Sequence, residues 1–115
     1  YIDLLKTCSI YTSTVIVKRE LLVNGMPNYR KRQDYATWLG ILKRGTVAYG
    51  VMEPLMGYRI SDESLSSNKF SAGSYQWLIY RDYLRFGYIK SIYYFCFYAV
   101  YGLIKRLKQL QLNVF

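Results

Sequence analysis

The sequence contains no histidine, which removes every His-based catalytic triad and the usual zinc constellations. Its two cysteines, Cys8 and Cys96, lie far apart without CxxC spacing, so no metal site is expected from this chain alone. Two isolated thiols fit a reducing compartment better than a disulfide framework. Acidic residues are scarce: 7 Asp and Glu stand against 16 Lys and Arg, and the net charge of +9 favours phosphates, nucleic acid or the cytoplasmic leaflet of a membrane as partners. The apolar run from Ile92 to Ile104 falls well short of the roughly 20 residues a spanning helix needs. Tyr1 replaces an initiator methionine, and neither a charged n-region nor a cleavage site follows it, so the chain reads as a piece of something longer. What is present, 52% hydrophobic residues in a chain of 115, suits one compact domain and argues against disorder.

CSIYTSTVIV, from Cys8 to Val17, is rich in β-branched and aromatic residues and predicts a strand. Gly25 and Pro27 then mark a turn. In QDYATWLGILKRG, Tyr35, Trp38, Leu39 and Leu42 recur at i, i+3, i+4 and i+7. Asp34 takes the cap position, and Lys43, Arg44 and Gly45 close the last turn; together they predict a helix. Thr46 to Met52 and Leu55 to Ile60 predict two short strands broken at Pro54, which cannot donate to a ladder. After a Ser-rich polar loop, Ser71 to Arg85 predicts an amphipathic helix that Gly87 ends or kinks, and a last helix runs from about Tyr88 to Leu112. From Phe86 onward the basic residues are Lys90, Lys105, Arg106 and Lys108, with no acidic residue among them. That helix suits either the headgroup region of a membrane or the cover of a sheet.

The densest cluster of functional residue types is Arg30, Lys31, Arg32, Gln33 and Asp34, with Trp38 one turn on. A carboxylate at a helix start lies in the positive end of the helix dipole, and held tightly it can take a proton from an alcohol consumed in the transition state. The same residue also reads as a plain N-cap. Trp38 reads either as a ring that stacks on a sugar or as a core residue paired with Leu42. Arg59, ahead of Ser61, Ser64, Ser66 and Ser67, reads as a phosphate contact or as a solvated strand end.

Taken in order, STVIVKRELL (Ser13 to Leu22), a short Gly-containing connection, RQDYATWLGILKRG (Arg32 to Gly45), AYGVMEPLMGYRIS (Ala48 to Ser61) and SLSSNK (Ser64 to Lys69) resemble the carboxyl-terminal half of bacterial family 2 glycosyltransferases. The resemblance covers roughly Thr12 to Lys105, and the similar enzymes build teichuronic acid, capsule or O-antigen polysaccharides. It implies an α/β fold: a partial GT-A (nucleotide-diphospho-sugar transferase) fold of a few strands plus an amphipathic helix, followed by two C-terminal helices. Residues 1–70 would be the acceptor-side half and 71–115 a helical, membrane-surface extension.

The resemblance further implies that Asp34 is the general base of an inverting transfer. Gln33 stands where the family often has Glu. Arg32 and Trp38 would contact the acceptor, and Arg59, Ser64 and Ser66 the donor pyrophosphate. The family's usual His after Tyr-Arg is replaced by Ile60, Ser61 and Asp62. A divalent metal, Mg or Mn, is expected for the full enzyme, but the acidic residues up to the helix, Asp3, Glu20 and Asp34, form no Asp-x-Asp to hold it. The implied partners are a nucleotide-sugar donor, a glycan or lipid-linked acceptor, and the missing N-terminal half of the same enzyme. Without that half the fragment is expected to be inactive. The implied location is cytoplasmic, peripheral at the inner face of the plasma membrane. The competing reading is a basic, aromatic-rich module for nucleic acid or a membrane surface. The tyrosines concentrate in an apolar run instead of alternating with cations, so no nucleic acid is expected.

Overall fold

The computed structural model describes residues 1–57, 59 and 68–113. Helices α1 (Ile2–Lys6), α2 (Gln33–Lys43), α3 (Lys69–Leu78) and α4 (Tyr88–Asn113) carry it, with 3₁₀ turns at Thr12–Thr14 and Arg19–Leu22 and a π-helical turn at Ile79–Tyr83.

Helix α2 forms where the periodicity predicts it. Tyr35, Ala36, Thr37, Trp38, Leu39 and Ile41 are buried, whereas Leu42 stays half-buried at the margin. The helix stops because Gly45 turns left-handed at φ 90° and its amide closes on the Leu42 carbonyl at 3.0 Å. Its start corrects the expectation: Arg32, not Asp34, is the N-cap, and Asp34 is the second helical residue.

The core gathers Leu4 and Leu5 of α1, Tyr35 and Leu39 of α2, Ile79 and Tyr80 of the π-helical turn, and Tyr94 of α4. It thus draws on both sides of residue 70. At five residues α1 is too short to stand alone, since isolated helices below about 12 residues are marginal in water. Its last carbonyls, unpaired within the helix, are taken by buried phenols: Tyr35 donates to the Leu4 carbonyl at 2.8 Å and Tyr80 to that of Leu5. The Gln76 amide nitrogen donates to both phenol oxygens, at 3.0 and 2.6 Å. Burial raises both tyrosine pKa values above the ordinary 10.0.

The predicted helix from Ser71 to Arg85 is α3 plus the π-helical turn, closed where the Leu84 amide meets the Ile79 carbonyl at 2.9 Å. Gly40 admits this turn against α2, because a Cβ there would stand 2.5 Å from the Tyr83 hydroxyl. Arg85 then turns left-handed at φ 54°, and the Arg81 guanidinium lies 3.8 Å from the Tyr88 ring as the chain enters α4. Along α4 the inner face buries Ser91 and Tyr94, while every residue from Tyr101 to Gln111 is exposed. Among the described residues no helix is long and apolar enough to cross a membrane.

The strand expectations are corrected. Between Cys8 and Val17 the backbone is extended at Tyr11 (φ −94°, ψ 113°) and Val15 (φ −90°, ψ 131°), but a 3₁₀ turn interrupts it and no ladder forms. Thr46 to Met52 is likewise unpaired, with Val47, Tyr49 and Met52 exposed. The piece from Leu55 to Ile60 includes positions 58 and 60, outside the described residues. β-Branched side chains favour extended backbone, yet a strand exists only beside a second strand, and the described residues supply none.

Candidate functional site

The start of α2 is built by a backbone choice that costs a non-glycine residue roughly 1 to 2 kcal/mol. Arg32 adopts φ 62°, ψ 22°, and its carbonyl receives the Ala36 amide at 3.1 Å as the first helical bond. The side chain offsets the strain. Its guanidinium lies 4.8 Å from the Tyr35 ring centroid and 5.2 Å from that of Tyr98, and Nη1 donates to the Tyr98 hydroxyl at 3.4 Å. Arg32 thus ties α2 to α4, and its buried Nε has no hydrogen-bond partner among the described residues.

Asp34 follows in the first turn, where amides point outward and negative charge is favoured. Its Oδ1 accepts from the Tyr35 amide at 2.8 Å, so it satisfies one unpaired amide of the helix start from within the turn. Its Oδ2 accepts from the Thr12 hydroxyl at 2.6 Å. Thr12 is held by its own turn, in which the Thr14 amide reaches the Tyr11 carbonyl at 3.0 Å. The Trp38 indole N–H points at the same Thr12 oxygen from 3.5 Å, a long contact. Asp34 is half-buried and Thr12 exposed, so the carboxylate and its hydroxyl partner form a polar spot at the surface edge of the core.

Around this spot the structure sorts the candidate residues. Asp34, Arg32 and Trp38 share the first turns of α2, but Trp38 is only 6% exposed and its ring packs in the core, leaving the N–H edge toward Thr12. Gln33, the first helical residue, is half-buried and its carbonyl accepts from the Thr37 hydroxyl at 2.7 Å. Arg59 is exposed, and among the described residues no hydrogen bond or ion pair joins it to Asp34. Ser64 and Ser66 lie outside the described residues.

As neighbours of Asp34 and Arg32, Thr12, Tyr98 and Cys8 escaped the sequence reading. Thr12 meets Asp34 across 22 positions and Tyr98 meets Arg32 across 66, separations that no local pattern signals. Cys8 lies within electrostatic range of both charged residues. Burial is the main cause that raises its thiol pKa, Asp34 adds to the rise, and Arg32 and Lys105 oppose it. No three His, Cys, Asp or Glu side chains converge to hold a metal ion among the described residues. Tyr35, Tyr80 and Tyr94 turn inward, which leaves no aromatic platform of theirs for bases to stack on.

No protein-family model matches the chain, and no solved structure matches it. Curated proteins do. Over 108 residues it is 44% identical to the putative teichuronic acid biosynthesis glycosyltransferase TuaG of Bacillus subtilis, a match covering 93% of this chain and 43% of that protein. The chain is homologous to part of bacterial glycosyltransferases. It is also 36% identical over 107 residues to the UDP-Glc:alpha-D-GlcNAc-diphosphoundecaprenol beta-1,3-glucosyltransferase WfgD of Escherichia coli, covering 92% of this chain and 42% of that protein. With an uncharacterized glycosyltransferase of Haemophilus influenzae the identity is 37% over 111 residues, 94% of this chain and 44% of that protein. This glycosyltransferase homologue therefore spans less than half the length of the curated relatives it matches.

Proposed function

We propose that the chain is the acceptor-side, carboxyl-terminal portion of an inverting family 2 glycosyltransferase with a GT-A fold, and that Asp34 is its general base. The observation that carries this reading is the Asp34 carboxylate at a helix start, already bound to a hydroxyl at 2.6 Å on the solvent edge. A carboxylate has about four acceptor positions. An acceptor alcohol can approach an open one or displace the Thr12 hydroxyl. As its oxygen bonds to the anomeric carbon, the bond from that carbon to the nucleotide diphosphate breaks on the opposite face. The proton passes to Asp34, and the configuration inverts. Positioned proton transfer of this kind contributes about 10²- to 10⁴-fold to rate.

In this reading Arg32 is a positioning residue, because its guanidinium is engaged by Tyr35 and Tyr98 and fixes the turn that presents Asp34. Arg59, Ser64 and Ser66 are assigned to the donor diphosphate. The described residues do not fit the Mg or Mn ion expected for the full enzyme, and none of the steps above runs through it. The unpaired segments 8–11 and 46–52 would find strand neighbours in the rest of the enzyme, with 71–115 as a helical extension packed on the acceptor-side part. Relatives named for diphosphoundecaprenol acceptors support a nucleotide-sugar donor and a lipid-linked acceptor, which would place the work at the inner face of the plasma membrane. Without the donor-binding half the chain alone does not transfer sugar.

The test is transfer by the full-length enzyme from a nucleotide sugar to a lipid-linked acceptor, with the product anomer read by NMR. The reading requires a product of configuration opposite to the donor. Retained configuration, or no transfer from any nucleotide sugar tried, contradicts it.

A further inference from the structure

The sequence left α4 between two uses, covering a core or lying on a membrane, and the structure assigns them to opposite faces of one helix. The inner face carries the buried Ser91 and Tyr94. The outer face, at 3.6 residues per turn, is an apolar stripe about 120° wide, from Ile92 on one edge to Ile104 on the other, running from the first turn to nearly the last. Ile89, Tyr93, Val100, Leu103, Leu107 and Leu110 mark it, and Ile89 is 88% exposed. Lys90 and Lys108 border the stripe on one side and Arg106 on the other, with Lys105 behind them, and no acidic residue occurs from Phe86 to the end. With exposed Cys96 between Tyr93 and Val100, outer residues alternate three and four apart, the spacing of a coiled-coil seam, but two features count against a partner helix. The stripe is wider than a two-helix seam, and a second copy would oppose cation to cation with no carboxylate to pair them.

We infer that α4 docks this domain on an anionic phospholipid surface. The stripe sinks into the headgroup boundary, and Lys90, Arg106 and Lys108 meet the lipid phosphates, while the Lys105 ammonium on the inner side donates to the Cys8 carbonyl at 3.3 Å. The inference rests on exposure and charge along α4 and stands whether or not Asp34 is a base.

The full 115-residue chain is to be sedimented with vesicles of 3:1 phosphatidylcholine and phosphatidylglycerol, and with phosphatidylcholine alone. Binding should favour the anionic vesicles and weaken with salt. Arg106→Gln with Lys108→Gln should lower partitioning roughly 25-fold, since each basic side chain at an anionic surface is worth about fivefold. Leu103→Gln with Leu107→Gln should lower it at least tenfold with helical content by circular dichroism unchanged, while Ile16→Gln, an exposed apolar site away from α4, leaves it unchanged. Three results would overturn the inference. They are equal binding on neutral and anionic vesicles; sedimentation as a dimer that the Leu103→Gln, Leu107→Gln variant dissociates, without lipid binding; or a full-length enzyme that ignores vesicles the chain binds, which would show the stripe covered by the rest of the protein.

Discussion

Helix α2 buries six of its eleven residues, whereas α4, with 26, buries only Ser91 and Tyr94 among those whose burial is described. The shorter helix is clamped by the core on one side and by Arg32, Thr12 and Trp38 at its start, so it can hold one carboxylate in a fixed place. The longer helix is anchored through its first turns, then runs on with its apolar stripe unused. Burial without spare surface suits a site that must be positioned, and exposed apolar length suits docking to something outside the chain.

The largest loss is expected in the core. Leu39→Ala should cost about 2 to 5 kcal/mol in urea unfolding, because Leu39 is fully buried and leaves a cavity. Equal sensitivity at Leu107 would mean that α4 is packed as α2 is.

Next comes the phenol network that joins α1 to both helices. Tyr80→Phe removes the donor to the Leu5 carbonyl and should cost about 1 to 3 kcal/mol. The same network sets a pH limit. Below pH about 10 both phenols are protonated in the folded and the unfolded chain. Above it the unfolded chain loses protons that burial makes the folded chain keep, so stability falls as pH rises. Urea midpoints measured between pH 8 and 11 should show that fall, and Tyr35→Phe should flatten it.

A smaller effect is expected at Thr12. In the full-length enzyme Thr12→Val should lower kcat about tenfold, the equivalent of one lost hydrogen bond to a charged group, and Thr12→Ser should restore most of it. Stability should barely change, because Thr12 is exposed. Smallest of all, Leu107→Ala should leave urea stability within about 0.5 kcal/mol.

How far the sequence could be read follows the same division. The span of α2, its end at Gly45, and the extents of the last two helices were legible because periodicity and glycine chemistry are local. The cap was misplaced by two residues, since nothing local says that Arg32 will accept a left-handed backbone in exchange for contacts with Tyr35 and Tyr98. The strands at 8–17 and 46–52 failed as elements because propensity selects an extended backbone while pairing depends on a neighbour. Asp34 was legible as the candidate base only through the order of motifs, and Thr12 was missed inside a run read as a strand. The outward stripe of α4 was spelled in the sequence, but which face meets the core is decided by tertiary packing at Ser91 and Tyr94.

Under the proposed reading Asp34 moves a proton and is not merely a charge at a helix start. Asn at position 34 keeps an oxygen for Thr12 or the Tyr35 amide but is a poor base. The direct test is Asp34→Asn in the full-length enzyme, with transfer rate, donor binding and unfolding measured on the same preparation. Transfer should fall by about 10²-fold or more while donor affinity and stability stay near those of the parent. Transfer kept within about twofold, or lost only in proportion to folded protein, would contradict the account and leave Asp34 as the partner of an amide and a threonine.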